Sequence, residues 1–534
     1  MLIYLMKKYI TLLFTILCVL NIVYTQTLFN KKYDFGYPAA IIQGIVGSSD
    51  SIIISGFVGD YIAPYPNRSF VGVANQVGDI QYFKILDTTN KDYWIYPASI
   101  TKNISGEGYF TSGVFVDSAN IRGFLWKIDK NLHKIFTHEY YPTDIRNDLI
   151  VENHVQYNKD TIAIICSLWK NDNQGNFYDS DFLLILADSA GNEYNRFQYG
   201  EANYDNRAYC IQKCDKGLLF SGFKIQRFYD NDGIWKLAFH PDVLLCDIQG
   251  NILKSYNTPS LDYRSSLWAI PTQDNSYVFC GGKYYNVHDP LGTPNQSQVY
   301  ARGYIEKLDA NFVKQWGLVL GKDSGFTCFN KIIETKKGNY IAVGNEIVLY
   351  RHPFSPDSVQ IDSAKVEGWA VKISPSGNVI WNRHYLTLTC KGDHIFSDVL
   401  EQEEGSLVMC GVAYDETPGT PATNAWLVRT DSFGCLVPGC QTVGIAPSPH
   451  IADHIKIYPN PAQSELYLYF HTDKQPTGTS FRISDMQGQE MIAETPLLNS
   501  TTHILRVGDW AKGLYFVEIR DKEGNVYTEK FVKE

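Results

Sequence analysis

The chain has 534 residues, more than a single hydrophobic core organises, so two or more folded units are expected. Charged residues make up 19%, hydrophobics 44% and aromatics 14%, which excludes disorder, collagen and coiled coil and favours a β-rich fold. Forty-seven Lys plus Arg against 57 Asp plus Glu give a net charge of -10, and no window gathers the basic excess that a phosphate backbone demands. Nucleic acid is therefore not an expected partner.

The chain opens with Lys7 and Lys8 ahead of an apolar run from Ile10 to Leu20, and Val23-Tyr24-Thr25 follows. Residues 1–25 read as a secretory signal peptide cleaved after Thr25, with Met6 an alternative start. Asn21 interrupts a run too short to span a bilayer, and the bulky Ile16-Leu17 before Cys18 disfavour lipid attachment. Cys166, Cys246, Cys280 and Cys410 sit in apolar runs and read as buried thiols. The Cys210/Cys214 pair lacks a second zinc-spaced pair. Cys435 and Cys440 stand close enough in sequence to close a small disulfide loop at a domain end.

Residues 26–440 carry a repeat. A short apolar run ending in small residues recurs as Ile52-Ile53-Ile54-Ser55-Gly56, Tyr109-Phe110-Thr111-Ser112-Gly113, Ile162-Ala163-Ile164-Ile165-Cys166-Ser167 and Leu218-Leu219-Phe220-Ser221-Gly222. It continues as Tyr277-Val278-Phe279-Cys280-Gly281, Tyr340-Ile341-Ala342-Val343-Gly344 and Leu407-Val408-Met409-Cys410-Gly411. Each copy leads to a turn at Asn75, Asp129, Asp188, Asp247, Asp309, Ser374 or Asp431, a period of 54 to 65 residues. Five turns have Gly three residues on (Gly78, Gly191, Gly250, Gly377, Gly434). The other two carry Asn131 or Asn311 two residues on, and these Gly and Asn residues are expected to take the positive φ of a tight hairpin. With a strand before each run and another after each turn, four short strands recur seven times, the pattern of a seven-bladed β-propeller. The seventh repeat lacks its fourth strand because Pro438 and Gly439 intervene; residues 30–35 are expected to supply it and remove the open edge. The hairpin Ser374-Pro375-Ser376-Gly377-Asn378-Val379-Ile380-Trp381 resembles quinoprotein-type propeller repeats. The resemblance reaches no cofactor-binding set, so no cofactor is expected.

Residues 441–454 are aperiodic and rich in Gly, Pro and Ser, a linker. Residues 455–534 then alternate as Glu465-Leu466-Tyr467-Leu468-Tyr469-Phe470 and Gly513-Leu514-Tyr515-Phe516-Val517, with an Asp485-Met486-Gln487-Gly488 turn, which predicts a small immunoglobulin-like β-sandwich. The opening Tyr458-Pro459-Asn460-Pro461-Ala462, that turn and the Gly513-Leu514-Tyr515 strand appear in order. The segment resembles the type A C-terminal sorting domain of the type IX secretion system, with Tyr458, Pro459, Asn460, Pro461, Gly488, Gly513 and Tyr515 matching the family pattern. The resemblance implies passage through the periplasm, recognition by the outer-membrane translocon, removal of the domain, and release or attachment to surface lipopolysaccharide. Seven Asp-Ser or Asp-Thr sites, at Ser51, Thr88, Ser118, Thr161, Ser189, Ser358 and Ser363, resemble the O-glycosylation acceptor of bacteria with this system, and turn composition also enriches the pair.

Chemistry is sparser. There is no Gly-x-Ser-x-Gly elbow, His-Glu-x-x-His, P-loop or calcium loop, and Pro142 breaks any helix after His138-Glu139. No catalytic residue and no metal ligand set is assigned; the Asp-rich segments 171–176 and 229–233 read as solvated loops. The favoured expectation is a secreted or cell-surface propeller that binds glycan or protein through loop aromatics such as Tyr61, Tyr65, Tyr284 and Tyr285. The alternatives are a hydrolase or lyase whose acid and base converge from separate blades, His288 or His352 among the candidates, and a structural role in adhesion.

Overall fold

In a computed structural model the chain divides into two compact units on either side of Leu436 and Val437, and each is described by itself. The described residues are 28–440 and 455–534, apart from 48–49, 61–66, 87–90, 92, 118–119, 173, 176, 202–203, 230–234, 257–264, 266, 288–297, 322–326, 352–360, 388–391, 416–421, 438–439, 471–479, 486–488, 497–501 and 521–525. The signal segment and the linker lie outside them.

The first unit starts with β1 (Phe29–Tyr33). Blade 1 is β2 (Ala39–Gly47), β3 (Ser51–Gly59), β4 (Asn67–Asn75) and β5 (Ile80–Ile85). Blade 2 is β6 (Tyr93–Lys102), β7 (Tyr109–Asp117), β8 (Asn120–Ile128) and β9 (Lys134–Tyr140). Blade 3 is β10 (Asp148–Gln156), β11 (Thr161–Asn171), β12 (Phe177–Asp188) and β13 (Glu193–Tyr199). Blade 4 is β14 (Tyr204–Cys214), β15 (Gly217–Tyr229), β16 (Trp235–Cys246) and β17 (Ile252–Tyr256). Blade 5 is β18 (Trp268–Pro271), β19 (Tyr277–Val287), β20 (Gln298–Leu308) and β21 (Lys314–Leu320). Blade 6 is β22 (Cys328–Glu334), β23 (Tyr340–Arg351), β24 (Ile361–Ile373) and β25 (Val379–Tyr385), and β26 (His394–Glu401), β27 (Leu407–Asp415) and β28 (Ala422–Thr430) begin blade 7.

Within each blade the strands pair antiparallel in chain order, and β1 pairs β28 antiparallel from Phe29↔Arg429 to Tyr33↔Ala425. The N-terminal strand thus completes blade 7, as the missing fourth strand of the last repeat requires. One parallel pair, Ala39↔Thr423, joins this blade to blade 1. The first strands pack in succession, β2 on β6, β10, β14, β18, β22 and β26, and β26 returns to β2, so the ring closes. Cores lie between neighbouring blades: Ala163, Ile165, Phe182 and Leu184 of blade 3 meet Ala208, Ile211, Phe220 and Leu244 of blade 4.

The recurring turn is an Asx turn. Asp188 Oδ1 accepts from the backbone N–H of Ala190 and Asn192 (2.9 and 2.8 Å), and Asn75, Asp129, Asp247, Asp309 and Asp431 repeat the pair of bonds. Gly78, Gly191, Gly250, Gly377 and Gly434 take the positive φ. In the other two turns the expectation is corrected: Leu132 (φ 61°) and Phe312 (φ 63°), not Asn131 or Asn311, are left-handed. Both side chains are buried in the inter-blade core, and that burial offsets the backbone cost. At the glycine turns an aromatic of the preceding outer strand fills the same space; a Cβ on Gly377 would lie 2.9 Å from Trp316.

A second repeated joint was not visible in the sequence. Tyr33, Tyr140, Tyr199 and Tyr385, each ending an outer strand, donate their hydroxyls to the carbonyls of Gly78, Gly191, Gly250 and Gly434 in the next blade's turn (2.5 to 2.9 Å). The first strands also bulge. Register shifts place the extra residue of each bulge at Gln43, Glu152, Tyr209, Asn330 and Ser397 in β2, β10, β14, β22 and β26. The small residues of the repeat answer to these bulges, since a Cβ on Gly56, Gly222, Gly344 or Gly411 would collide with the carbonyl of Ile41, Arg207, Cys328 or Ile395.

The second unit packs a three-stranded sheet, β29 (Ile455–Tyr458), β30 (Glu465–Phe470) and β33 (Thr502–Arg506), with a four-stranded one. The latter is formed by β31 (Ser480–Asp485), β32 (Glu490–Pro496), β34 (Gly513–Arg520) and β35 (Val526–Lys533) in the order β32-β31-β34-β35. Leu466, Leu468, Phe481, Ile483, Val517 and Phe531 form its core, the alternation expected of a sandwich.

Candidate functional site

In the C-terminal unit the Pro459-Asn460-Pro461-Ala462 segment holds the last strand. Asn460 Nδ2 donates to the Lys530 carbonyl (3.2 Å) and its Oδ1 accepts from Val532 N–H (2.9 Å). Ala462, fully buried, exchanges bonds with Val532 and Glu534. Tyr458 stacks on Tyr467 at 5.3 Å, and buried Tyr515 donates to the Ala511 carbonyl and packs on Phe531. Gly513 has open space where a Cβ would stand, and Gly488 lies outside the described residues.

In the propeller unit the loop aromatics chosen from sequence fall where the structure describes no side chain. Tyr61 and Tyr65 lie outside the described residues, as do His288 and His352 and the side chains of Tyr284 and Tyr285. Exposed apolar groups gather instead on the face of blades 2 and 3 that carries the loop from β9 to β10: Trp94, Val116, Tyr141, Ile145 and Tyr178, with Ile145 73% exposed. Beside them opens a cavity of about 500 Å³, floored by buried Leu168 and Leu183 and walled by Lys170, Arg196 and Gln198.

The loop over this cavity is held from below. Arg122, 2% exposed, donates to the carbonyls of Ile121, Ile145 and Asn147 (3.1, 2.7 and 2.6 Å), and its guanidinium lies 5.9 Å from the Tyr141 ring. Asn171 adds two bonds, its N–H to Asn147 Oδ1 (3.0 Å) and its Nδ2 to the Arg146 carbonyl (2.9 Å). A loop fixed through three of its carbonyls presents Ile145 to solvent without ordering cost on binding. Nothing in the sequence marked Arg122, an isolated arginine in a strand; its role depends on a loop 23 to 25 residues further on.

Buried titratable groups are tied off within or between neighbouring blades. Burial pushes the Glu152 carboxyl up to about 8; it accepts from Ser167 (2.9 Å), whose oxygen accepts from Ala208 N–H in blade 4. Burial raises Asp242 to about 6 beside Lys224 (3.7 Å) and Asn206 (3.2 Å). Glu346 lies 2.5 Å from His384, and Asp398 joins Lys331 (2.7 Å) to Ile45 N–H (3.0 Å). The thiols of Cys166, Cys246, Cys280 and Cys410 are free and buried, and burial drives Cys210 up to about 12 and Cys328 up to about 11, so they pack and do not react. Cys435 and Cys440 are disulfide-bonded. Among the described residues no three His, Cys, Asp or Glu side chains converge as metal ligands.

Residues 456–534 match the family model of the secretion system C-terminal sorting domain. No curated protein matches the chain. Among solved structures, the extracellular domain of the hybrid two-component system BT3049 from B. thetaiotaomicron is 9% identical with a TM-score of 0.37 over 95% of this chain, which spans 57% of that one. Sqt1 from Chaetomium thermophilum is 9% identical (TM-score 0.35; 75% of this chain, 99% of that one). An alpha-L-arabinanase from Penicillium chrysogenum is 11% identical (0.33; 62% and 92%). The propeller assignment stands on the strand pairing rather than on these likenesses. The C-terminal unit is a type IX secretion sorting domain, which directs the chain to the secretion machinery and to attachment at the cell surface.

Proposed function

We propose that the propeller is the surface-displayed cargo and works as a binding module, with its ligand seated over the cavity between blades 2 and 3. The observation that carries this reading is the Arg122-pinned loop, which offers an exposed Ile145 beside Tyr141 and a cavity of about 500 Å³. The buried carboxylates support binding over hydrolysis, since Glu152, Asp242 and Glu346 are engaged by Ser167, Lys224 and His384 in three separate blades. On this reading residues 1–25 are the export signal, residues 455–534 are the removable tail, and lipopolysaccharide is the surface anchor.

The test immobilises the mature protein against panels of oligosaccharides and of surface proteins and compares wild type with Ile145→Arg. Ile252→Arg on the outer strand β17 serves as control. Binding lost in the first variant and kept in the second supports the site. Binding unchanged in Ile145→Arg, or a retained ligand that is cleaved, sinks the reading.

A further inference from the structure

We infer that the cavity between blades 2 and 3 takes a neutral carbohydrate of one or two rings, an inference that rests on the binding reading above and names its ligand class. The charged walls argue first. Three cations face four carboxylates: Lys170 is held by Asp179 (2.7 Å) and Asp181 (2.6 Å), Arg196 by Glu193 (2.6 Å), and Arg146 by Asp144 (2.5 Å). Every cation is already neutralised and the set sums to -1, so a phosphate, sulfate or uronate finds no uncompensated positive charge to replace its hydration.

What remains open is a pair of oriented amides. Asn147 Oδ1 accepts from Asn171 N–H (3.0 Å), which fixes the amide and turns its Nδ2 donor free. Gln198 Nε2 donates to Asp181, which leaves its Oε1 as an acceptor. Neither freed atom has a partner among the described residues. One fixed donor and one fixed acceptor match hydroxyl groups, each of which both gives and takes a hydrogen bond. Beneath them Leu168 and Leu183 form an apolar floor, and at the rim stands the exposed Ile145. A polar edge above an apolar surface suits a sugar ring, whose hydroxyls lie around its margin and whose C–H groups lie on its face.

The test titrates the mature full-length chain calorimetrically with maltose, cellobiose and xylobiose, and with digalacturonate as the charged probe. Asn147→Asp keeps the acceptor for Asn171 while replacing the donor, and Gln198→Met removes the acceptor at similar volume. Circular dichroism confirms that both variants are folded. The expected result is binding of at least one neutral disaccharide, weakened tenfold or more by each variant, with no binding of digalacturonate. Binding of digalacturonate alone, no saccharide binding, or unchanged affinity in both variants overturns the inference. If no saccharide binds while a protein ligand is retained in an Ile145-dependent way, the ligand class falls and the binding site stands. If Ile145→Arg affects no ligand at all, both fall.

Discussion

Glu152→Gln isolates the energetic consequence of burying a carboxyl where β10 bulges. Glu152 is 7% exposed, accepts from Ser167, and has its carboxyl raised by burial from 4.5 to about 8. The raised value fixes the sign. Between the two values the unfolded chain loses this proton while the folded protein keeps it, so stability falls as pH rises through that window and levels off above about 8. For one group shifted between those values, linkage gives a loss of about 3 kcal/mol from pH 5 to pH 8. Glutamine keeps the shape and cannot titrate, so the stability difference between variant and wild type should grow by about 3 kcal/mol over the same interval. Urea unfolding of the mature chain from pH 5 to 8.5, followed by tryptophan fluorescence, reads it. Parallel curves for the two proteins would show that Glu152 ionises as an ordinary carboxyl and would refute the argument.

Other expectations follow from the joints. Tyr199→Phe and Tyr385→Phe each remove a hydrogen bond to the next blade's turn and should each cost about 1 kcal/mol, with the double variant additive because the blades are separate. Denaturant midpoints check this, and no change in either single variant would deny the staples a role. Arg122→Met leaves the carbonyls of Ile145 and Asn147 without their donor, at about 1 to 3 kcal/mol, and should open the β9–β10 loop to limited proteolysis. Asn460→Ala frees both bonds to β35 and should lower the fraction of chain reaching the surface, as measured by fractionation of cells. We propose that Cys435 and Cys440 bond to each other; peptide mapping without reduction should recover them as one linked peptide.

The parts of the fold legible in the sequence were those written in local chemistry. Asp188 or Asp247 followed by a glycine at the third residue is an Asx hairpin whatever surrounds it, and the repeat of such turns announced the blades. The positive φ falls at Leu132 and Phe312 rather than at Asn131 and Asn311 because packing between blades holds it there, which no local pattern displays. The glycine repeated after Ser55, Ser221 or Val343 was visible, but its reason was not: it accommodates the bulge of the first strand paired with it in its own blade, a matter of register that the apolar pattern does not display. The candidate site was hidden as well. Its loop is organised by Arg122 and Asn171 from two different blades, whereas the side chains of the tyrosines chosen from loop composition lie outside what the structure describes.

The sorting tail gives the account its most direct test. Intact cells producing the full chain, or the chain ending at residue 454, would be probed with an antibody to the propeller and with added protease. The full chain should be accessible at the surface, and the shortened chain should accumulate unlabelled in the periplasm. Equal surface labelling of both would contradict the assignment of residues 455–534 as the determinant of delivery.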